Sequence, residues 1–245
     1  MMVKITNRLF IKNLEKFYGQ REVIRNVSMA INSGEVVGLL GPNGAGKTTT
    51  FYIVMGLIVA DSGQIFLNDE DISKLPMYKR ARKGVGYLPQ EDSTIRSLTV
   101  WENLQGMAEY LDLSKEEQVK VIEESLAEMK ISHIAGQKAY TLSGGECRRL
   151  EIARTLISKP KFLLMDEPFS GIDPINIHAL QNIIISLKEK NIGIFITDHN
   201  VREMLKVVDR AYLIYGGDIL CHGSSDVLLK HPDSRKFYLG EDFDI

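Results

Sequence analysis

Gly41-Pro42-Asn43-Gly44-Ala45-Gly46-Lys47-Thr48 fits the phosphate-binding pattern G-x-x-x-x-G-K-[ST] at every fixed position. Residues 35–40 upstream are apolar enough for a short buried strand, and residues 48–56 downstream predict a helix. A strand, a glycine loop and a helix in that order let backbone N–H groups converge on phosphate oxygens at a helix N-terminus. In that setting Lys47 would reach the β- and γ-phosphates of a nucleotide, and Thr48 would offer its hydroxyl to Mg²⁺.

The remaining composition sets bounds. A chain of 245 residues, 44% hydrophobic, can bury a sizeable core. A formal charge of -2 gives no electrostatic reason to bind nucleic acid. Cys147 and Cys221 have no metal or redox spacing and suit a reducing cytosol. Residues 1–10 hold no sustained apolar stretch, so no export leader is expected. No run approaches the roughly 18 apolar residues that span a bilayer, so any work at a membrane requires another chain to do the spanning.

Working outward, residues 8–17 and 23–31 predict two strands around a turn at Phe17-Tyr18-Gly19, and residues 63–68 alternate like a third. A short connection begins at Asp71-Ile72, and Pro76 opens a short basic helix over 76–83. Residues 85–90 predict a strand ending on Gln90. Residues 99–111, 114–129 and 144–158 are then helical in pattern, the second opened by a Ser114/Glu117 capping box. Residues of about 91–158 are therefore expected to form a helical lobe inserted into an α/β core. The core resumes with a buried strand running into Asp166-Glu167, a helix opened by Asp173-Pro174 and a strand over 192–197 ending at Asp198-His199. Gly216-Gly217 reads as a hairpin turn, and residues 224–230 and 232–239 as closing helices.

Ligands of open α/β sheets bind beyond the carboxyl ends of the strands. Asp166 is placed there to hold Mg²⁺ through water, and Glu167 to orient an attacking water. Gln90 could touch the metal or the water through its amide, and His199 a phosphate oxygen. Taken singly, either of these two is more often an ordinary polar loop residue. Leu142-Ser143-Gly144-Gly145-Glu146 contains a capping box of Ser143 and Glu146, and also a helix N-terminus suited to phosphate. With one phosphate loop and one such end per chain, a two-fold dimer would make two composite sites.

This ordered set resembles the nucleotide-binding subunits of ABC transporters over essentially the whole length. The resemblance implies an α/β P-loop NTPase fold: a RecA-like core with an antiparallel β subdomain and an inserted helical lobe. It implies one domain over 1–245, with core 1–90 and 159–223, lobe 91–158 and helical tail 224–245. It also implies ATP and Mg²⁺, with adenine stacked on Tyr18 and phosphates held by Gly41 to Thr48 and Thr49. Thr48, Gln90 and Asp166 would serve the metal, and Glu167 and His199 catalysis. Ser143, Gly144, Gly145 and Glu146 would act in trans, with Ser170, Gly171 and Asp173 as a dimer-facing loop. Glu146 replaces the glutamine most common after the two glycines.

A narrower likeness, to the ATPases of bacterial lipopolysaccharide-export transporters, rests on residues 46–52, 87–91, 197–203 and 238–243. Cys147 departs from it, since arginine is usual there. The resemblance implies a homodimer on the cytoplasmic face of the inner membrane, beside two integral membrane subunits. Lipopolysaccharide would be moved by the complex rather than bound by this chain, and no nucleic acid is involved. Residues 93–98 mix apolar and basic side chains, which suits an amphipathic helix of a membrane partner, whereas Trp101 reads as core. Two other readings share the motifs. A branched-chain amino-acid type transporter ATPase is disfavoured by residues 197–203 and 238–243. A non-transport ABC ATPase is disfavoured by the single cassette, the absence of a heptad run and the slight negative charge.

Overall fold

The computed structural model describes residues 6–240 and Phe243, without the side chains of Pro174 and Ile175. The expectations for residues 1–5 and for Glu241, Asp242, Asp244 and Ile245 lie outside them.

Strands β1 (Arg8–Tyr18) and β2 (Arg21–Asn32) pair antiparallel. Phe17 and Tyr18 belong to the strand rather than to the turn, because they pair with Glu22 and Arg21. That pairing confines the turn to Gly19-Gln20, with Gly19 at φ 61°. β3 (Val36–Leu40) is buried throughout and runs through the glycine loop into α1 (Lys47–Met55), which Gly56 ends in the left-handed conformation. β4 (Ser62–Leu67) and β5 (Glu70–Asp71) complete a four-stranded antiparallel sheet in the order β2-β1-β4-β5. α2 (Met77–Arg82) begins one residue later than expected. Pro76 is extended at ψ 161° and so caps the helix from outside.

β6 (Val85–Leu88) stops two residues short of Gln90. Pro89 has no N–H with which to continue a ladder, so pairing ends there. Three helices follow: α3 (Val100–Ala108), α4 (Lys115–Glu128) and α5 (Gly144–Leu156). Each opens with a complete capping box, at Thr99/Glu102, Ser114/Glu117 and Ser143/Glu146. β7 (Phe162–Asp166), α6 (Pro174–Glu189), β8 (Gly193–Thr197), α7 (Val201–Leu205), β9 (Arg210–Tyr215) and β10 (Asp218–Gly223) return the chain to a six-stranded sheet ordered β10-β9-β3-β8-β7-β6. Its strands are parallel except β10, which pairs antiparallel to β9 through Gly216-Gly217. After α8 (Ser225–Lys230), the segment expected as one helix divides into a single turn, α9 (Pro232–Ser234), and a π-type turn over Arg235–Leu239.

The central strands are apolar on both faces, as strands covered on both sides must be. Val37, Leu39, Leu164 and Phe195 face α1 and the antiparallel sheet. Val36, Leu40, Leu163, Met165 and Ile196 face the helices that lie between β6 and β7, together with α6 and α7. Trp101 packs against this second core, in line with its reading as a core residue. No helix among the described residues is long and apolar enough to cross a membrane.

Candidate functional site

The site lies at the carboxyl ends of β3, β7 and β8. Gly41 leaves β3 where an added Cβ would collide with the Ile214 carbonyl. Gly46 caps α1 at φ 107°, and a Cβ there would lie 2.9 Å from the Val23 carbonyl. The loop is fixed from outside as well. Gly217 N donates to the Ala45 carbonyl (3.2 Å). Lys47 Nζ donates to the carbonyls of Gly41 (2.6 Å) and Pro42 (3.1 Å). Burial lowers the Lys47 pKa, and the Glu167 carboxylate opposes that shift.

Asp166 is the last residue of β7 and is 4% exposed. Burial, then the charges of Glu167 and Asp198, raise its pKa to about 6. Glu167 turns out of the strand at φ 45°, a conformation that costs roughly 1–3 kcal/mol for a non-glycine residue. Its N–H donates to the Thr197 carbonyl at 2.7 Å, which holds the turn against β8. The carboxylate is held on both oxygens: Gln90 Nε2 donates to Oε2 at 2.7 Å, and His199 Nε2 lies 2.6 Å from Oε1. Both partners were expected near phosphate or metal, and the structure brings both to Glu167. One partner on each oxygen leaves the carboxylate with further lone pairs for a water molecule.

Sequence reasoning gave Asp198 no role. It is 1% exposed, and its carboxylate accepts from the N–H groups of Phe169 (2.8 Å) and Asn200 (2.7 Å). It thereby fixes the segments that follow Glu167 and His199. The Asp-His-Asn run directly after a buried strand was the available signal, since an Asp commonly bonds the backbone two residues on.

Tyr18, 49% exposed at the end of β1, lines a concavity of about 520 Å³ with Arg21, Asn43, Lys47, Thr48 and His199. Ser143, Gly144, Gly145 and Glu146 open α5 elsewhere. Gly144, Gly145, Ser170, Gly171 and Asp173 line a separate cavity of about 370 Å³, which Gln90 also borders. Gly145 sits against Asn176 of α6, where a Cβ would collide, whereas Gly144 has open space around it. The structure thus divides the expected residues into two surfaces joined through Gln90 and Glu167. In a single copy, the opening of α5 does not line the concavity around Lys47.

The oxygen donors of Thr48, Asp166 and Gln90 are of the kind Mg²⁺ prefers. The charge crowding among Asp166, Glu167 and Asp198 is what a divalent cation would relieve.

A glycine loop after β3, an acid pair at the end of β7 two strands away and a capped helix opening on a second face define an ATP-binding cassette of the P-loop class. The chain belongs to the ABC transporter family, whose model matches residues 24–170. It is 49% identical to the lipopolysaccharide export system ATP-binding protein LptB of Escherichia coli K12, over 96% of this chain and 98% of that one. Identity and coverage are the same for LptB of Haemophilus influenzae. The ATP-binding cassette MJ1267 of an ABC transporter, solved in its ADP conformation, superposes with a TM-score of 0.88 at 29% identity, covering 96% of this chain and 99% of that one. A dimeric post-hydrolysis cassette, MJ0796 bound to ADP and Pi, gives a TM-score of 0.77 at 25% identity, covering 89% and 98%. The chain is accordingly a nucleotide-binding ATPase of that family.

Proposed function

We propose that this chain is the ATPase subunit of a lipopolysaccharide-export transporter, working as a homodimer on the cytoplasmic face of the inner membrane beside two integral membrane subunits. The likeness to LptB across nearly the full length of both chains supports the substrate. The separation of the α5 opening from the Lys47 concavity supports the dimer, since a second copy can bring the two surfaces together. The convergence of Gln90 and His199 on the Glu167 carboxylate carries the chemical proposal.

Adenine stacks on Tyr18, and the phosphates lie along Gly41 to Thr49 with Lys47 released from its own loop carbonyls. Thr48, Gln90 and Asp166 would hold Mg²⁺, which would supply charge neutralisation at the phosphates. Ser143 and the N–H groups of Gly144 and Gly145 receive the terminal phosphate bound by the other copy: Glu146 braces the Ser143 N–H (2.9 Å), and the Ser143 hydroxyl turns its proton from Glu146 to the phosphate. Ser170, Gly171 and Asp173 meet their counterparts nearby. Glu167 orients and deprotonates the attacking water, and His199 passes from Glu167 to the phosphate. Closure excludes water from the composite site.

Glu167→Gln tests this directly. ATP affinity should stay parental while turnover falls by roughly 10²–10⁴-fold, the range a positioned base supplies. Turnover within about tenfold of the parent would remove Glu167 from the role.

A further inference from the structure

The segment after Gln90 is not a free loop. The Ser93 N–H and hydroxyl both donate to Glu151 Oε1, at 2.6 and 3.1 Å. Arg154 Nη1 donates to the Ser93 carbonyl. Arg148 Nη1 donates to the Pro89 carbonyl (2.9 Å) and to Glu151 Oε2 (2.8 Å). Arg148, Glu151 and Arg154 recur at spacings of three residues, so they share one face of α5. Glu151 is 4% exposed and Arg148 8%. A carboxyl group that deep requires hydrogen-bond donors, and it has three here.

The arrangement has two working ends. α5 begins at Ser143, and Pro89 and Ser93 flank Gln90, whose amide rests on Glu167. A rigid helix gripped to that segment at two points cannot move without carrying Gln90 with it.

We infer that Glu151 is a positioning residue for hydrolysis, joining the α5 opening and the Gln90 segment into one body. Engagement of α5 by a second copy's nucleotide is thereby transmitted to the partner of the catalytic carboxylate. The inference rests on the proposed roles of Glu167 and Ser143. Glu151 borders the cavity at the α5 opening but does not line the Tyr18–Lys47 concavity, so its loss should act on turnover and leave nucleotide binding by a single copy near parental.

The test uses the full chain, measuring affinity with a fluorescent ATP analogue and turnover by phosphate release. Glu151→Ala should keep nucleotide affinity within about twofold and lower kcat by at least about tenfold, because misplacement of about 1 Å can cost roughly 10²-fold. Glu151→Gln retains an oxygen for the Ser93 N–H and should give a kcat between the two. Parental kcat in Glu151→Ala overturns the inference. So does a parallel fall of affinity and kcat in both variants, which marks a purely structural residue. If the Ala variant does not fold, the Gln variant decides alone: reduced kcat at parental affinity upholds the inference, and parental kcat overturns it. Glu167→Gln run alongside separates the two readings, since parental turnover there would instead defeat the role given to Glu167.

Discussion

The phosphate loop was legible because its chemistry is local: the glycines, Lys47 and Thr48 lie within eight consecutive residues. The setting of Glu167 was not, because its partners are 77 residues upstream and 32 downstream, and nothing in either segment announces a shared carboxylate. Cys147 illustrates the same division. Its place just past Glu146 says nothing of its surroundings, and only the fold shows how it is enclosed. Burial raises its pKa to about 11, with Thr94 Oγ1 at 3.6 Å and Asp92 Oδ1 at 3.5 Å. In a Cys221→Ser background, Cys147 should therefore alkylate at pH 8 roughly 10²-fold more slowly than a free thiol, since the thiolate is the nucleophile. Following iodoacetamide incorporation by mass spectrometry checks this, and a rate equal to that of free cysteine would contradict the enclosure.

At the scale of elements, strands β3, β7 and β8 were readable as unbroken apolar runs, and α4 from its capping box. α2 was misleading, because a short segment with three basic side chains looks solvated throughout. Arg80 is instead 1% exposed. Its guanidinium donates to the carbonyls of Ile53 and Val54 at the end of α1, and to those of Ser73 and Leu75. It closes the helix that carries the phosphate loop, using the fork geometry that suits arginine. Arg80→Met should cost about 3 kcal/mol or more by leaving buried carbonyls without donors. The melting temperature should then fall by roughly 6–12 °C, at about 2–4 °C per kcal/mol for a chain of this size. Arg80→Lys should recover little of it, because an ammonium cannot serve four carbonyls in one plane. Calorimetry of the three proteins measures both effects.

For the whole molecule, one phosphate loop and one phosphate-suited helix opening per chain already pointed to two separate surfaces, but residue spacing does not say which face a helix opening occupies. The outer end of the Gln90 segment is exposed, with Ile95 at 51% exposure and the Arg96 side chain at 74%. The double variant Ile95→Asp with Arg96→Glu should therefore fold and bind nucleotide as the parent does, yet lose its membrane partner in co-purification from solubilised membranes. Recovery at parental yield would place the docking surface elsewhere. The tether on Ala45 has a further bearing. A loop held in shape by the β9–β10 turn has little disorder left to surrender when a nucleotide arrives. In the proposed dimer, the free energy of phosphate contact would then be available to draw two copies together rather than to order the loop.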